Sequence, residues 1–140
     1  MNPIEKKVRA SFARQAWMSA LRAEMTSAGA GTVEIRCPFN ERLTQQNGFA
    51  HGGVITSILD SACGYAALSV APAGCEVLSV EFKVNMLAPA VGEAFVARAA
   101  VKRAGKNLAV CAADAFAVKG GGEKLIATML ATIMNMRSRT

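Results

Sequence analysis

The sequence predicts an α+β domain in which an antiparallel sheet curls around one long apolar helix. The helix is predicted at residues 52–69, where apolar residues recur at the spacing of one helical face. From Leu78 to Met86 the hydrophobic period changes to two, which is typical of a strand. Three more strand-like segments follow, at about 94–103, 108–118 and 124–136. A sheet of five strands with a single apolar helix buries that helix only by wrapping around it.

The other elements are predicted from local signals along the chain. Residues 4–28 are rich in helix-forming residues and end at Gly29, which predicts an N-terminal helix outside the main domain, within residues 1–30. Residues 32–37 predict a short strand that Pro38 closes, and the polar segment that follows predicts a loop with a turn at Asn47-Gly48. Short Gly-containing turns join the last four strands, so we expect them to form a simple antiparallel meander.

The size and composition indicate one domain that associates with copies of itself. A chain of 140 residues matches a common domain size, and residues 31–140 form the predicted domain without a visible linker. The hydrophobic fraction of 52% exceeds the usual share, while only 19% of residues are charged, so more apolar surface is expected than a monomer needs. Apolar runs are interrupted before the length of a membrane span, and the first residues lack the apolar core of a secretory signal.

The charged residues and the cysteines exclude few functions. The net charge of +6 favours an anionic partner, either nucleic acid or a phosphorylated small molecule. No zinc-finger spacing or RNA-binding aromatic signature accompanies this charge, so no nucleic-acid partner is predicted. The four cysteines (Cys37, Cys63, Cys75 and Cys111) are scattered and form no C-x-x-C pair, which predicts buried thiols in a reducing cytoplasm and no metal site.

The unusual residues of the chain are concentrated at the start of the long helix. His51 is the only histidine, Gly52 and Gly53 follow it, and Asp60 lies on the polar side of the same helix. The N-terminus of a helix presents unpaired N–H groups, and glycines there allow a carbonyl oxygen to approach them. Asp60 lies about 12 Å further along the axis, too far to serve the same carbonyl within one chain. We therefore expect a two-fold dimer to join the acid of one subunit with the glycines of the other.

The stretch "LTQQNGFAHGGVITSILDSACGYAAL", followed by "VLSVEFKVNMLAPAVGE", resembles the hotdog-fold acyl-CoA thioesterases of the PaaI type. The resemblance covers residues 38–134 and depends on the HGG motif, on an acid nine residues after its histidine and on an amide six before it. It implies a hotdog fold with five or six antiparallel strands around a central helix. It also implies hydrolysis of an acyl-CoA to a free acid and coenzyme A, with no cofactor besides the coenzyme A of the substrate.

The resemblance implies a role for each catalytic residue. Asp60 matches the carboxylate that acts as general base or nucleophile, and Gly52 matches the glycine whose N–H polarises the thioester carbonyl. His51 matches the histidine that orients the helix start, Gln45 an amide that positions the water or the intermediate, and Ser79 a hydroxyl that assists the nucleophile. Gln46 and Asn47 are neighbours that take the role of Gln45 if the loop is shifted.

The substrate-binding residues are predicted partly from chemistry. Coenzyme A carries phosphates, and the turn "KRAGKN" supplies Lys102, Arg103 and Lys106, although ordinary solvated charges explain these residues equally well. Gly53 is expected to help bind the carbonyl. Apolar side chains are expected to line the acyl site and to suit medium-length or aromatic acyl groups; they are Ile55, Leu59 and Phe82.

Two other functions remain open at this point. A hydratase or dehydratase of acyl thioesters needs a histidine paired with an acid, whereas His51 lies in a thioesterase context. A non-catalytic acyl-CoA sensor is the second alternative, in which the basic N-terminal helix contacts a partner. The leading interpretation is a cytoplasmic homodimeric thioesterase, with dimers pairing into tetramers, that binds neither a membrane nor nucleic acid.

Overall fold

The computed structural model describes residues 1–137 and contains three helices and six strands. The helices are α1 Pro3–Ala13, α2 Ala16–Ala20 and α3 Gly52–Val70, with a 3₁₀ turn at Glu41–Leu43. The strands are β1 Glu24–Gly29, β2 Thr32–Pro38, β3 Cys75–Met86, β4 Ala94–Ala104, β5 Leu108–Lys119 and β6 Gly122–Arg137. The predicted long helix and the strand 32–37 are confirmed, and β3 begins three residues earlier than its period-two pattern indicated.

One antiparallel sheet in the order β1-β2-β4-β5-β6-β3 packs against α3, as a sheet curled around a helix requires. Ile58, Leu59 and Ala62 of α3 are completely buried. Opposite them, the buried positions of β4, β5 and β6 are mostly alanines, such as Ala97, Ala115 and others at every second residue. Small side chains on this face let the strands approach the helix closely, because close packing leaves little room between the two layers.

The helix α3 is long and apolar enough, by length and composition alone, to cross a membrane. In the structure, however, 61% of the residues in its most apolar window are buried inside the domain. Its exposed side is the polar stripe of partly accessible residues that the sequence predicted, which includes Ser57, Asp60 and Gly64. The apolar character of α3 is therefore accounted for by its position in the core.

The prediction of one helix over residues 4–28 was wrong. The chain turns at Arg14, α2 ends at Ala20, and Arg22 adopts a left-handed φ of 57° that prevents further helix. Residues 24–29 then form the edge strand β1, which pairs antiparallel with β2. Helix propensity misled the prediction because Ala, Glu and Met favour a helix only weakly, and tertiary pairing with β2 overrides such a preference.

The predicted four-stranded meander was also wrong at one step. β4, β5 and β6 form consecutive hairpins, but β3 pairs with β6 at the far edge of the sheet. Both edges of β4 are already occupied, by β2 and by β5, so β3 has no place beside it. The segment 87–93 instead crosses the end of the sheet, where Ala90 O accepts a hydrogen bond from Ala50 N at 3.1 Å.

Among residues 1–137 no strand pairs with the outer edge of β3, and this strand carries several exposed apolar side chains. Leu78, Val80, Phe82 and Met86 are exposed by 54%, 56%, 42% and 48% respectively. Ser79 pairs with the buried Ile133, and Phe82 with the buried Ala131, so both face the same side of the sheet as α3. An exposed apolar edge strand of twelve residues is a ready template for pairing with another strand.

We expect Leu59→Ala to lower the free energy of unfolding by about 2–5 kcal/mol, because Leu59 is completely buried and its removal leaves a cavity between helix and sheet. Leu125→Ala is the matched control: Leu125 is 42% exposed, and its loss is expected to cost under about 1 kcal/mol. Urea titrations at one protein concentration measure both values. Equal losses would contradict the placement of the core between α3 and the sheet.

Candidate active site

His51 fixes the start of α3. It is the N-cap residue, and its Nδ1 accepts a hydrogen bond from Gly53 N at 2.7 Å. Its backbone N also donates to Leu43 O at 2.9 Å, which ties the helix start to the preceding loop. The cap uses the N–H of Gly53, one of the first N–H groups that a helix leaves without an internal partner. His51 therefore caps the helix and fixes the position of its first turn.

Gly52 and Gln45 line a common cavity of about 170 Å³ and both offer hydrogen-bond donors. Within the described residues the N–H of Gly52 has no hydrogen-bond partner. The Oε1 of Gln45 accepts from the backbone N of Asn47 and of Phe49, at 2.5 and 3.3 Å. Because these two donors require the oxygen of the amide, the Nε2 of Gln45 is left for other partners. Two N–H donors that border one cavity form a potential site for a carbonyl oxygen that gains negative charge.

Asp60 and Ser79 line a second cavity, of about 300 Å³, on the same side of α3. The Oγ of Ser79 donates a hydrogen bond of 2.6 Å to Asp60 Oδ1. Asp60 lies in the middle of α3 and Ser79 faces it from β3, next to the β-bulge between Ser79 and Glu81. A bulge shifts the alternation of side chains along a strand by one residue. Before this bulge the side chains that face α3 are at odd-numbered positions such as Ser79, and after it they are at even-numbered positions such as Phe82.

The donors and the acid lie at two separate cavities of one chain. Eight residues separate Gly52 from Asp60 along the continuous helix α3, which corresponds to about 12 Å of helix rise. Met86 borders the cavity of Gly52, whereas Ser79 borders the cavity of Asp60, so the two cavities open near opposite ends of β3. A carbonyl bound at Gly52 is therefore out of reach of Asp60 in the same chain.

The N-terminal helices contribute to this region, which the sequence analysis did not predict. Gln15 accepts a hydrogen bond from Ser61 Oγ at 3.1 Å and donates one to Tyr65 Oη at 3.0 Å. Trp17 Nε1 donates to Ser57 Oγ at 2.9 Å. The sequence did contain a sign of these contacts, namely the polar residues on one side of α3. Partly buried hydroxyl groups need hydrogen-bond partners, and another element must supply them.

The other predicted binding residues lie outside the two cavities of Gly52 and Asp60. Gln46 and Asn47 are exposed, so Gln45 is the member of this loop that borders the cavity of Gly52. The N–H of Gly53 is used by the cap of His51 and is not available to a carbonyl.

The three cations of the predicted basic turn are exposed. Lys102 borders a surface depression together with Lys83, whereas Lys106 borders a different one together with Arg137. Arg103 is exposed on β4 between them in sequence. The three cations thus do not converge on one depression.

The expected apolar lining of the acyl site is only partly present. Leu59 was predicted to line it, but this side chain is completely buried in the core because it faces the sheet. Ile55 borders the cavity of Gly52, and Phe82 is 42% exposed on β3. The cavity beside Asp60 has a mixed wall that includes hydroxyl groups and the carboxylate of Glu76.

Cys63, which lies next to Asp60, is not poised as a nucleophile. Burial, the nearby Cys111 and the charge of Asp60 all raise the pKa of the Cys63 thiol, so it stays protonated at neutral pH. Burial likewise raises the pKa of Cys37 and of Cys111 to about 11. Burial was predicted for all four thiols; Cys37, Cys63 and Cys111 are buried, whereas Cys75, at the start of β3, is partly exposed. In residues 1–137 no group of three or more His, Cys, Asp or Glu side chains is arranged to hold a metal ion.

A family model described as the thioesterase superfamily matches residues 47–124, more than half of the chain. The chain belongs to the thioesterase superfamily. The match includes the HGG motif, Asp60 and Ser79, and it leaves out the N-terminal helices and Gln45. The family named from the sequence is thereby confirmed.

Similar structures establish the fold. A thioesterase family protein from Silicibacter pomeroyi is 48% identical, with a TM-score of 0.94 over 96% of this chain and 99% of that one. The PaaI protein of E. coli, from the phenylacetic acid degradation operon, has a TM-score of 0.86 at 20% identity, over 96% of this chain and 94% of that one. The second likeness concerns the fold alone. The hotdog fold of the PaaI type, with six strands, is confirmed.

Among curated proteins, a candidate esterase of Halobacterium salinarum is 32% identical over 98 residues, 66% of this chain and 64% of the relative. A candidate esterase of Saccharolobus solfataricus is 38% identical over 80 residues, 57% of this chain and 56% of the relative. The chain thus aligns with less than two thirds of the length of these relatives.

We expect Gly53→Ala to lower the free energy of unfolding by about 1 kcal/mol, because a Cβ at this position would lie 2.9 Å from His51 Nδ1 and displace the cap. Gly64→Ala is the control on the same helix. A Cβ there meets no atom within 4 Å, so the better helix propensity of alanine should raise stability by up to about 1 kcal/mol. Chemical denaturation of both variants measures the difference. A gain of stability in both would show that the cap contributes nothing.

Proposed function

We propose that the protein is an acyl-CoA thioesterase that hydrolyses the thioester to a free acid and coenzyme A. The observation that carries this proposal is the placement of complementary groups along one helix. Two N–H donors, from Gly52 and Gln45, border one cavity, and the hydrogen-bonded pair of Asp60 and Ser79 borders another. Membership of the thioesterase superfamily supports the same reaction.

The proposed active site is shared between two subunits that join at β3. This strand is unpaired on one side and exposes apolar side chains, so it offers a surface for a second copy. In a two-fold dimer the two β3 strands run antiparallel. If the two-fold axis passes near Phe82, the part of β3 that contains Ser79 lies beside the part of the partner strand that ends at Met86. Asp60 of one subunit would then approach the donors of the other. We also propose that such dimers pair into tetramers.

In this site the thioester carbonyl oxygen accepts hydrogen bonds from Gly52 N–H and Gln45 Nε2. Both donors are held in place before the substrate arrives, the first by the helix and the second by the turn at residues 45–49. Preorganised donors of this kind stabilise the negative oxygen of a tetrahedral intermediate, and removing one commonly costs about 10²–10³ in rate.

The carboxylate of Asp60 acts on the carbonyl carbon from the other side. As a general base it takes a proton from water while the water oxygen forms a bond to carbon; as a nucleophile it forms that bond itself, and water then cleaves the resulting anhydride. The hydrogen bond from Ser79 orients the carboxylate in either route. In the general-base route the tetrahedral intermediate expels the thiolate of coenzyme A, which takes up the proton that Asp60 had accepted, and the free acid remains. In the nucleophilic route the thiolate leaves and is protonated when the anhydride forms, and water then cleaves the anhydride to the free acid and the carboxylate of Asp60.

The nucleotide end of coenzyme A would bind cations on the exterior of the sheet. Lys102, Arg103 and Lys106 are exposed in the hairpin between β4 and β5. Because they border different depressions, we propose that they attract the phosphates as a group of long side chains and do not form one preorganised pocket.

We expect Asp60→Asn to lower kcat by about 10²–10⁴, because an amide cannot take a proton from water or attack a carbonyl. Ser79→Ala should lower kcat by about tenfold through the loss of one hydrogen bond to Asp60. Asp114→Asn, which removes the only other aspartate, is the control, since Asp114 is exposed on β5 and bonded to Thr128. A free-thiol assay over a panel of acyl-CoA substrates measures all three. Full activity of Asp60→Asn would eliminate the proposed chemistry.

Mixed dimers test whether the site is shared. Gly52→Pro removes the N–H donor at the first helical position, where proline is well tolerated, and Asp60→Asn removes the acid. Each variant alone is expected to be inactive. After unfolding and refolding of an equal mixture, half of the dimers are mixed and each has one intact site, so about a quarter of the native activity should return. The control is a mixture of Asp60→Asn with itself. If the mixture stays inactive while size-exclusion chromatography shows dimers, donors and acid act within one chain.

A further inference from the structure

A network of hydroxyl and amide groups forms one wall of the cavity beside Asp60. Gln15 lies at its centre, since its Oε1 accepts from Ser61 Oγ at 3.1 Å and its Nε2 donates to Tyr65 Oη at 3.0 Å. Ser11 Oγ lies 3.4 Å from the same phenol oxygen. All four residues border the cavity of about 300 Å³ that also contains Asp60 and Ser79.

This wall is held rigidly. Tyr65 is only 7% exposed, and its ring packs edge-on against Phe12, with the centroids 5.7 Å apart and the planes at 67°. Gln15 is fixed at both ends of its amide by partners on α3. A polar group that is fixed before binding loses little entropy when a ligand arrives, so it can discriminate between ligands.

The network retains hydrogen-bonding capacity that its members do not use among themselves. The Nε2 of Gln15 has two hydrogens, and the bond to Tyr65 uses one of them. Because the Tyr65 oxygen accepts this bond and a second one from Ser11 Oγ, its own proton is left for a group inside the cavity. A hydroxyl or carbonyl group on a ligand can accept from either donor.

The charges that face the cavity exclude an anionic ligand. Two carboxylates border it, those of Asp60 and Glu76, and none of the described residues that line it is a lysine or arginine. Asp60 and Glu76 would repel a carboxylate carried by the acyl group, and burial of that charge in the cavity would further increase the free-energy cost of binding.

On these grounds, and resting on the thioesterase function proposed above, we propose that Gln15 and Tyr65 determine specificity for a neutral acyl group that carries a hydroxyl or similar hydrogen-bonding substituent. The acyl group would extend from the thioester carbon at Asp60 into this cavity. Apolar contacts with Leu68, Val77 and Leu78 would cover its carbon atoms, and its substituent would reach the network. Ser11 and Gln15 lie outside the region that the family model matches, so the N-terminal segment supplies part of this wall and α3 the rest.

Matched pairs of substrates test the proposal. The probes are hydroxybutyryl-CoA against butyryl-CoA, hydroxyhexanoyl-CoA against hexanoyl-CoA, and para-hydroxybenzoyl-CoA against benzoyl-CoA, with succinyl-CoA as the charged acyl group. In at least one pair the native protein should prefer the hydroxylated member by about tenfold or more in kcat/KM, because the network then gains a partner. Succinyl-CoA should be a poorer substrate than butyryl-CoA.

Two variants identify the residues responsible. In Gln15→Leu and in Tyr65→Phe the ratio of kcat/KM within the preferred pair should fall to within about twofold of one. Tyr65→Phe keeps the ring that packs on Phe12, and Ser19→Ala, an exposed position on α2, is the control in which the ratio stays at its native value. Thermal melting of each variant shows that it is folded.

The possible results separate the two proposals. If the native protein hydrolyses no acyl-CoA, the proposed thioesterase function is overturned, and so is the proposal that the cavity beside Asp60 binds the acyl group. If it hydrolyses them but treats all pairs alike, or prefers succinyl-CoA, only the specificity proposal is overturned. The same holds if both variants retain the native ratio, because the network would then serve only to attach α1 to α3.

Discussion

The burial of α3 by the sheet is the constraint on which the rest of the structure depends. The helix is so apolar that most of its surface must be covered, and the alanine-rich inner face of β4, β5 and β6 lets the strands approach it closely. A single sheet cannot enclose a helix on all sides, so one stripe of α3 remains outside its reach. Most polar residues of the helix occupy that stripe, and the candidate catalytic groups on α3 therefore lie on one side of the domain.

The start of the helix illustrates how much of this arrangement is encoded locally. The HGG motif predicted a glycine N–H that is available to a ligand, and the cap formed by His51 explains why that N–H belongs to Gly52 and not to Gly53. The amide of Gln45 follows from its own turn, since the Asn47-Gly48 segment folds back and engages its oxygen. The N–H of Gly52 could be predicted from the sequence because it depends on neighbours within a few residues. Asp60 was predicted from its place on the polar side of the helix, whereas Gln45 and Ser79 were predicted only from a family resemblance. The hydrogen bond between Ser79 and Asp60 joins elements that are distant in sequence.

The parts that could not be predicted depend on competition between distant segments. Residues 24–29 have a weak preference for a helix, and only the presence of a free edge on β2 makes them a strand. In the same way, the period of two identifies β3 as a strand but carries no information about its neighbour, which is decided by the occupation of both edges of β4. The contacts of Gln15 and Trp17 with α3 were missed for the same reason, because a polar residue on an amphipathic helix gives no indication of the element that it meets.

The N-terminal helices and β3 divide the polar stripe of α3 between them. Trp17 bonds Ser57 near the first turns of the helix, and Gln15 bonds Ser61 and Tyr65 beyond Asp60, so two contacts of the N-terminal helices flank the acid. Asp60 itself is bonded from the opposite side, by Ser79 of β3. The carboxylate is thus fixed by an edge strand of the sheet, β3, while polar residues before and after it on α3 are bonded by the N-terminal segment. A partner that pairs with β3 would reach Asp60 without disturbing α1 or α2, which is why a shared site is compatible with an N-terminal extension that shapes the cavity.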